Sequence, residues 1–186
     1  MQKELGYDAS RLATAVKLAN RQIVQTAQGD KKCKGMGTTV VAVHFVKSIA
    51  FIAHVGDSRG YVWRGGALKQ MTEDHSLLND YLKAGRLSPA EIEAFPHKNV
   101  ITRALGIDAS VVVDVTRLEL QPGDILLLCS DGLTGMVTDT AIGEVLASNA
   151  DLSRAWAQLI DRANANGGTD NVTCILARWS APTPGA

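Results

Sequence analysis

No charge of either sign dominates this chain: 19 Lys and Arg stand against 19 Asp and Glu in 186 residues. A neutral chain has no electrostatic footprint for nucleic acid or for an anionic membrane, so neither is expected as a partner. A long uncharged apolar run that could span a bilayer is also lacking. The opening Met1-Gln2-Lys3-Glu4 has no secretory h-region. Cysteine is scarce. Cys33, Cys129 and Cys174 are odd in number and widely spaced, which argues against a disulfide or zinc framework. Cys129 and Cys174 fall inside apolar strand patterns and read as small core residues of a reducing compartment, so a cytoplasmic location is expected. What is present is apolar: 46% of the residues, enough for a globular core. The length fits one domain over residues 1–179, with Ser180–Ala186 as a frayed tail.

Residues 9–28 place Leu12, Val16, Ala19, Ile23 and Ala27 at helical spacing, ended by Gly29-Asp30. Two β-branched runs, 38–46 and 49–55, joined by Lys47-Ser48, predict a hairpin. After Gly56-Asp57-Ser58, Tyr61–Arg64 and Ala67–Met71 extend it into a meander of four strands. The mixed segment 73–100 predicts a flap with helices near 76–84 and 89–94. Alternation at Val111, Val113 and Val115 predicts a strand, and Gln121–Asp124 a turn into a buried strand at 125–129. A helix capped by Thr138 or Asp139 runs through Leu146. Another opens at Asp151 and buries the stripe Leu152, Ala155, Trp156, Leu159, Ile160 and Ala163. Val172–Trp179 closes the chain as a strand.

Three loops at strand ends carry a carboxylate: Asp57, Asp131 and Asp170. Asp-Gly is a common turn pair, and Asp131 alone reads first as a turn residue. Three rigidly held carboxylates could equally converge on hard cations, which prefer carboxylate oxygen and water. His54 reads as a hydrogen-bonded core histidine, and His75 and His97 as loop residues packed or exposed. Thr38 and Thr39 read as buried strand hydroxyls, Arg59 as a structural ion-pair partner, and Trp63, Trp156 and Trp179 as core or edge packing.

In chain order stand Met36-Gly37-Thr38-Thr39, His54-Val55-Gly56-Asp57-Ser58-Arg59, Met71-Thr72-Glu73-Asp74-His75-Ser76, Thr102-Arg103-Ala104-Leu105-Gly106, Leu128-Cys129-Ser130-Asp131-Gly132-Leu133-Thr134 and Gly167-Gly168-Thr169-Asp170-Asn171-Val172-Thr173. This ordered set resembles the type-2C, metal-dependent serine/threonine protein phosphatases (PPM family) in their compact bacterial form. The resemblance implies an α+β fold, a four-layer αββα sandwich of two antiparallel sheets. It implies hydrolysis of phosphoserine and phosphothreonine by a metal-activated water, with two to three Mn2+ or Mg2+ ions in the complete family site. Asp131 and Asp170 match the family's metal ligands, and Asp57 matches the aspartate that helps hold a third, weaker metal. Asn171 would orient Asp170 or its water. Implied partners are proteins phosphorylated on Ser or Thr and a cognate Ser/Thr kinase.

The chain departs from the family at its N-terminus. The early acidic strand residue, the Asp-Gly-Met-Gly-Gly type motif that bridges the catalytic metals and the upstream basic phosphate binder are absent. Gly35-Met36-Gly37 lacks the Asp. The expectation is an N-terminally incomplete sandwich: a fragment of a longer phosphatase, or a chain that takes the missing elements from a partner. Fewer metal ions are expected here, and exposed sheet edges invite self-association. The competing reading is a pseudophosphatase, a binding or regulatory module without turnover. A different metal-dependent hydrolase finds no basic groove or zinc cluster here.

Overall fold

Helical periodicity carries further than the sequence predicts: α1 spans Gln2–Gly29, and Asp30 then caps a short 3-10 turn by accepting from the Lys32 amide. A computed structural model describes residues 2–85, 91–92, 95 and 100–180, with side chains from residue 6 onward. Then come β1 (Val40–Val46), β2 (Ile49–Val55), β3 (Arg59–Arg64), β4 (Ala67–Gln70), α2 (Leu77–Lys83) and β5 (Asp114–Glu119). They are followed by β6 (Ile125–Cys129), α3 (Asp131–Thr134), α4 (Asp139–Ser148), α5 (Leu152–Ala165) and β7 (Cys174–Arg178).

The strands form two sheets, ordered β1-β2-β5 and β4-β3-β6-β7. The meander of four strands is therefore not formed. A strand has two edges, and both edges of β2 are taken, by β1 and β5. β3 instead pairs with β4 and β6, with Tyr61 opposite Gln70 on one side and Leu127 on the other. The two hairpins are real, but they belong to different sheets.

The chain divides into two compact units. In the first (Met1–Val40, Ala53–Asp57 and Glu73–Val115), Leu12, Val16 and Ile23 of α1 pack on Val40, Ala53, Val55, Leu105, Val111, Val113 and Val115. Val111 and Val113 join this core although the strand itself starts only at Asp114. Asn20 is buried in the same unit with a partner at each polar atom: Oδ1 accepts from the Gly106 amide at 2.8 Å, and Nδ2 donates to the Asp108 carbonyl at 3.0 Å.

In the second unit (Val41–Ile52, Ser58–Thr72 and Thr116–Ala186), Ala50 and Ile52 of β2 meet Val62 of β3 and Leu126 of β6, which is sheet against sheet. The opposite face of β3 and β6 presents Tyr61, Ile125, Leu127 and Cys129 to Leu133, Ile142, Val145, Ala155, Leu159 and Ala163 of the helices. Hence β6 reads as an unbroken apolar run: Leu126 serves one core and its neighbours the other. Helix on sheet, sheet on sheet and sheet on helix are the contacts of an α+β sandwich with two antiparallel sheets.

Thr138 caps α4 and Asp151 caps α5 through their side chains, as the sequence predicts. Trp156 departs from its predicted place in the buried stripe. It is 46% exposed and donates from Nε1 to the Cys174 carbonyl of edge strand β7. β7 is shorter than the predicted 172–179. Of the flap, Ser76 caps α2 by accepting from the Asn79 amide. The second flap helix lies largely outside the described residues, with 91–92 helical, and so do His97 and residues 181–186.

Candidate metal centre

Asp131 is not in a simple turn. It opens α3, with Ser130 as the preceding cap residue, and its carboxylate is exposed. Asp170 sits on the loop that leads into β7, also exposed, with its Oδ1 accepting the Asn171 amide at 2.7 Å. These two loops are stitched together inside the second unit. The Ser130 amide donates to the Thr173 carbonyl at 3.0 Å. Ser130 Oγ accepts from the Thr173 amide at 3.1 Å and donates to the Asn171 carbonyl at 3.2 Å. Gly132 completes the closure. A Cβ there would stand 2.3 Å from the Asn171 carbonyl oxygen, so only glycine admits that approach.

The register continues the same order, since Cys129 lies opposite Cys174, the residue just beyond Thr173. The structure thus brings together the loops of Asp131, Asp170 and Asn171. Among the described residues neither carboxylate takes part in an ion pair. Exposed carboxylates without a basic partner, on stiff supports, form an oxygen-only donor set of the kind that Mg2+ or Mn2+ takes. The residues fit the group. A cavity of about 520 Å³ lined by Trp63, Leu68, Asp139, Gly143 and Glu144 includes neither Asp131 nor Asp170.

Asp57 belongs to the first unit, at the turn that ends β2. Gly56 before it has φ +106°, and a Cβ there would lie 2.4 Å from Thr39 Cγ2. Thr39 is thus the methyl packed on this turn. Thr38, in contrast to its predicted burial, is exposed and donates from Oγ1 to the Thr39 carbonyl. Arg59 donates from Nη1 to the Tyr61 hydroxyl, which in turn donates to Asp139 Oδ1. Burial pushes that phenol well above its ordinary value.

The residue that sequence reasoning passed over is His75. It is 7% exposed and lies in a cluster with His54 and Asp114. Its Nδ1 accepts from the Gly56 amide at 3.0 Å, so the neutral ring carries its proton on Nε2. Nε2 is 2.8 Å from Asp114 Oδ2, which also accepts from Arg103 Nη1 at 3.3 Å. Burial holds the His75 imidazole below its usual value, and the Arg103 charge adds to this against the pull of Asp114. Burial pushes the Asp114 carboxyl up, but the His75 hydrogen bond and Arg103 outweigh it and leave it below its usual value.

His54 stacks on His75, with ring centroids 4.7 Å apart. Its Nε2 donates to the Glu73 carbonyl at 2.8 Å, and its buried Nδ1 has no partner. By residue type the three groups could ligate a metal, their ligand atoms lying within 4.8 Å of one another. The bonding says otherwise. Both His75 nitrogens are in use, and Arg103 Nη1 stands 2.9 Å from Nε2, where it opposes a cation. The cluster is a neutral histidine coupled to an ionised aspartate. His75 stands in one of the six sequence motifs, which is the one trace of it that the sequence carries.

A family model described as Protein phosphatase 2C matches residues 3–177. The serine/threonine phosphatase stp of Listeria welshimeri is 44% identical over 165 residues, 89% of this chain. That match spans 66% of the relative's length, so the chain covers just under two thirds of it. Among solved structures, the S. agalactiae serine/threonine phosphatase superposes with a TM-score of 0.86 at 38% identity, over 92% of this chain and 71% of that one. The catalytic domain of the serine threonine protein phosphatase PstP, solved with 2 manganese ions, gives 0.79 at 35% identity, over 91% and 70%.

Proposed function

The chain belongs to the protein phosphatase 2C family, and from this premise we propose that it is a metal-dependent protein serine/threonine phosphatase acting on phosphoserine and phosphothreonine. The observation that carries the proposal is the stitched pair of loops presenting Asp131 and Asp170, neither of which is in an ion pair among the described residues. Asp131, Asp170 and Asp57 are the proposed metal ligands. Asn171 is the proposed support of Asp170, through the amide that already engages Oδ1. The cation is Mn2+ or Mg2+; the manganese-loaded PstP domain supports the first. When bound, such an ion lowers the pKa of a coordinated water and offsets phosphoryl charge.

The chain's own residues supply the stiffness this needs. Ser130 and Gly132 lock the two loops, and β6 and β7 anchor them in the sheet. The family match over residues 3–177 supports reading 1–179 as one functional domain. Phosphorylated proteins are the proposed substrates and a Ser/Thr kinase the opposing enzyme. Edge strand β7, with Ile175 59% exposed, supports self-association through sheet edges. Free buried thiols support a cytoplasmic site. Among the described residues no helix is long and apolar enough to cross a membrane.

The test is release of phosphate from phosphothreonine peptides with Mn2+, with Mg2+ and with chelator. Activity that needs the metal and disappears in Asp131→Asn and Asp170→Asn is the expected result. Full activity in either variant would sink the site assignment. Phosphopeptide binding without turnover would replace the phosphatase with a binding module.

A further inference from the structure

Both peptide groups of Gly56 end on one residue. The Gly56 amide donates to His75 Nδ1, and its carbonyl accepts the His75 amide, each at 3.0 Å. Gly56 is already in a backbone region that only glycine occupies freely, with Thr39 closing the space beside it. Asp57 is the next residue: the ring holds the amide of the Val55–Gly56 peptide and the His75 amide holds the carbonyl of the Gly56–Asp57 peptide, so His75 grips the backbone from which Asp57 leaves the turn. His75 is itself fixed on several sides. Its carbonyl accepts the Thr102 amide at 2.8 Å, and His54 covers one ring face. Its Nε2–H meets Asp114.

Asp114 has a specific task here. Arg103 Nη1 lies 2.9 Å from His75 Nε2 and also donates to the Val112 carbonyl. Without a carboxylate to receive the Nε2 proton, the guanidinium would favour a lone pair on Nε2. The ring proton would then move to Nδ1 and face the Gly56 N–H, donor against donor. The carboxylate excludes that tautomer.

We infer that His75, kept in its Nε2–H tautomer by Asp114, is a positioning residue that fixes the Gly56 peptide and, through it, the carboxylate of Asp57. The inference rests on the reading of Asp57 as a metal ligand. Such supports of ligands commonly change metal affinity when removed, by about tenfold or more.

The experiment uses the full chain and Mn2+ alone, with three readouts: Mn2+ affinity by electron paramagnetic resonance, the His75 tautomer by 15N NMR, and exchange of the Gly56 amide. Asp114→Ala is expected to move the His75 proton to Nδ1, to speed Gly56 exchange and to weaken Mn2+ about tenfold. Asp114→Asn, whose Oδ1 can accept from Nε2–H, is expected to restore all three. His75→Asn, whose Oδ1 replaces Nδ1 as acceptor, is expected to keep Mn2+ affinity within about twofold, and provides an independent reading should Asp114→Ala fail to fold.

An unchanged tautomer and affinity in Asp114→Ala, with Asp57→Asn weakening Mn2+, would overturn the positioning role and leave the ligand reading intact. Unchanged Mn2+ affinity in His75→Ala, which removes the acceptor that His75→Asn keeps, would overturn it too. Unchanged Mn2+ affinity in Asp57→Asn would remove the ligand reading, and this inference with it.

Discussion

Arg64 and Asp124 face each other as a fork, Nε to Oδ1 at 2.8 Å and Nη2 to Oδ2 at 2.6 Å. The carboxylate is 1% exposed, at the turn that launches β6, and also accepts the Gln121 amide. Burial pushes the Asp124 carboxyl up, but the Arg64 and Gln121 hydrogen bonds prevail and hold it below 3.8. Arg64→Ala strands this buried charge. A loss of about 2–3 kcal/mol is expected in urea unfolding, and a change under about 0.5 kcal/mol would contradict it. The pair's stabilisation is full above the ordinary carboxyl value and is lost as pH falls through the lower folded value.

Gly132→Ala tests the closure of the two aspartate loops. The added methyl would drive against the Asn171 carbonyl, so the loops must part. The expected outcome is loss of Mn2+ binding together with destabilisation of about 1–3 kcal/mol. Calorimetric titration with Mn2+ reads the first and denaturant midpoints the second. Wild-type Mn2+ affinity in this variant would mean that the loops do not need their present contact.

Stability should fall on mild acidification. His75 is held neutral, with a folded value below the usual 6.5, while Arg103, His54 and Asp114 surround it. Between the folded value and 6.5 the unfolded chain takes up the extra proton, so stability is full above 6.5 and declines as pH drops through the folded value. Urea midpoints measured at descending pH should show this decline, and His75→Asn should flatten it. The same slope in both proteins would exclude His75 as its source.

The three cysteines should separate by reactivity. Burial pushes the Cys129 thiol up to about 12 and the Cys174 thiol up to about 11, whereas Cys33 lies partly exposed on its own short turn. At mildly alkaline pH a thiol reagent is expected to label Cys33 in the folded chain and all three after denaturation. Rapid labelling of Cys129 by peptide mapping would show that the β6–β7 core opens readily.

Local chemistry made much of this protein legible in its sequence. Strand β6, the caps Thr138 and Asp151, the end of α1 at Gly29 and both hairpins follow from periodicity, capping and turn residues, all properties of neighbours in the chain. The family resemblance rests likewise on ordered local motifs, and it named Asp131, Asp170 and Asn171, whose loops the fold then stitched together. Sheet membership was not local. Whether β3 continues beside β2 or starts another sheet depends on which strands, distant in sequence, occupy the two edges of each. The role of His75 was not local either. A histidine in a loop reads alike whether exposed or buried; Gly56, Asp114 and Arg103, brought to it by the fold, fix its tautomer and its partners. Residue types set what each group can donate, accept or ligate, and tertiary structure decided which of those capacities are already spent.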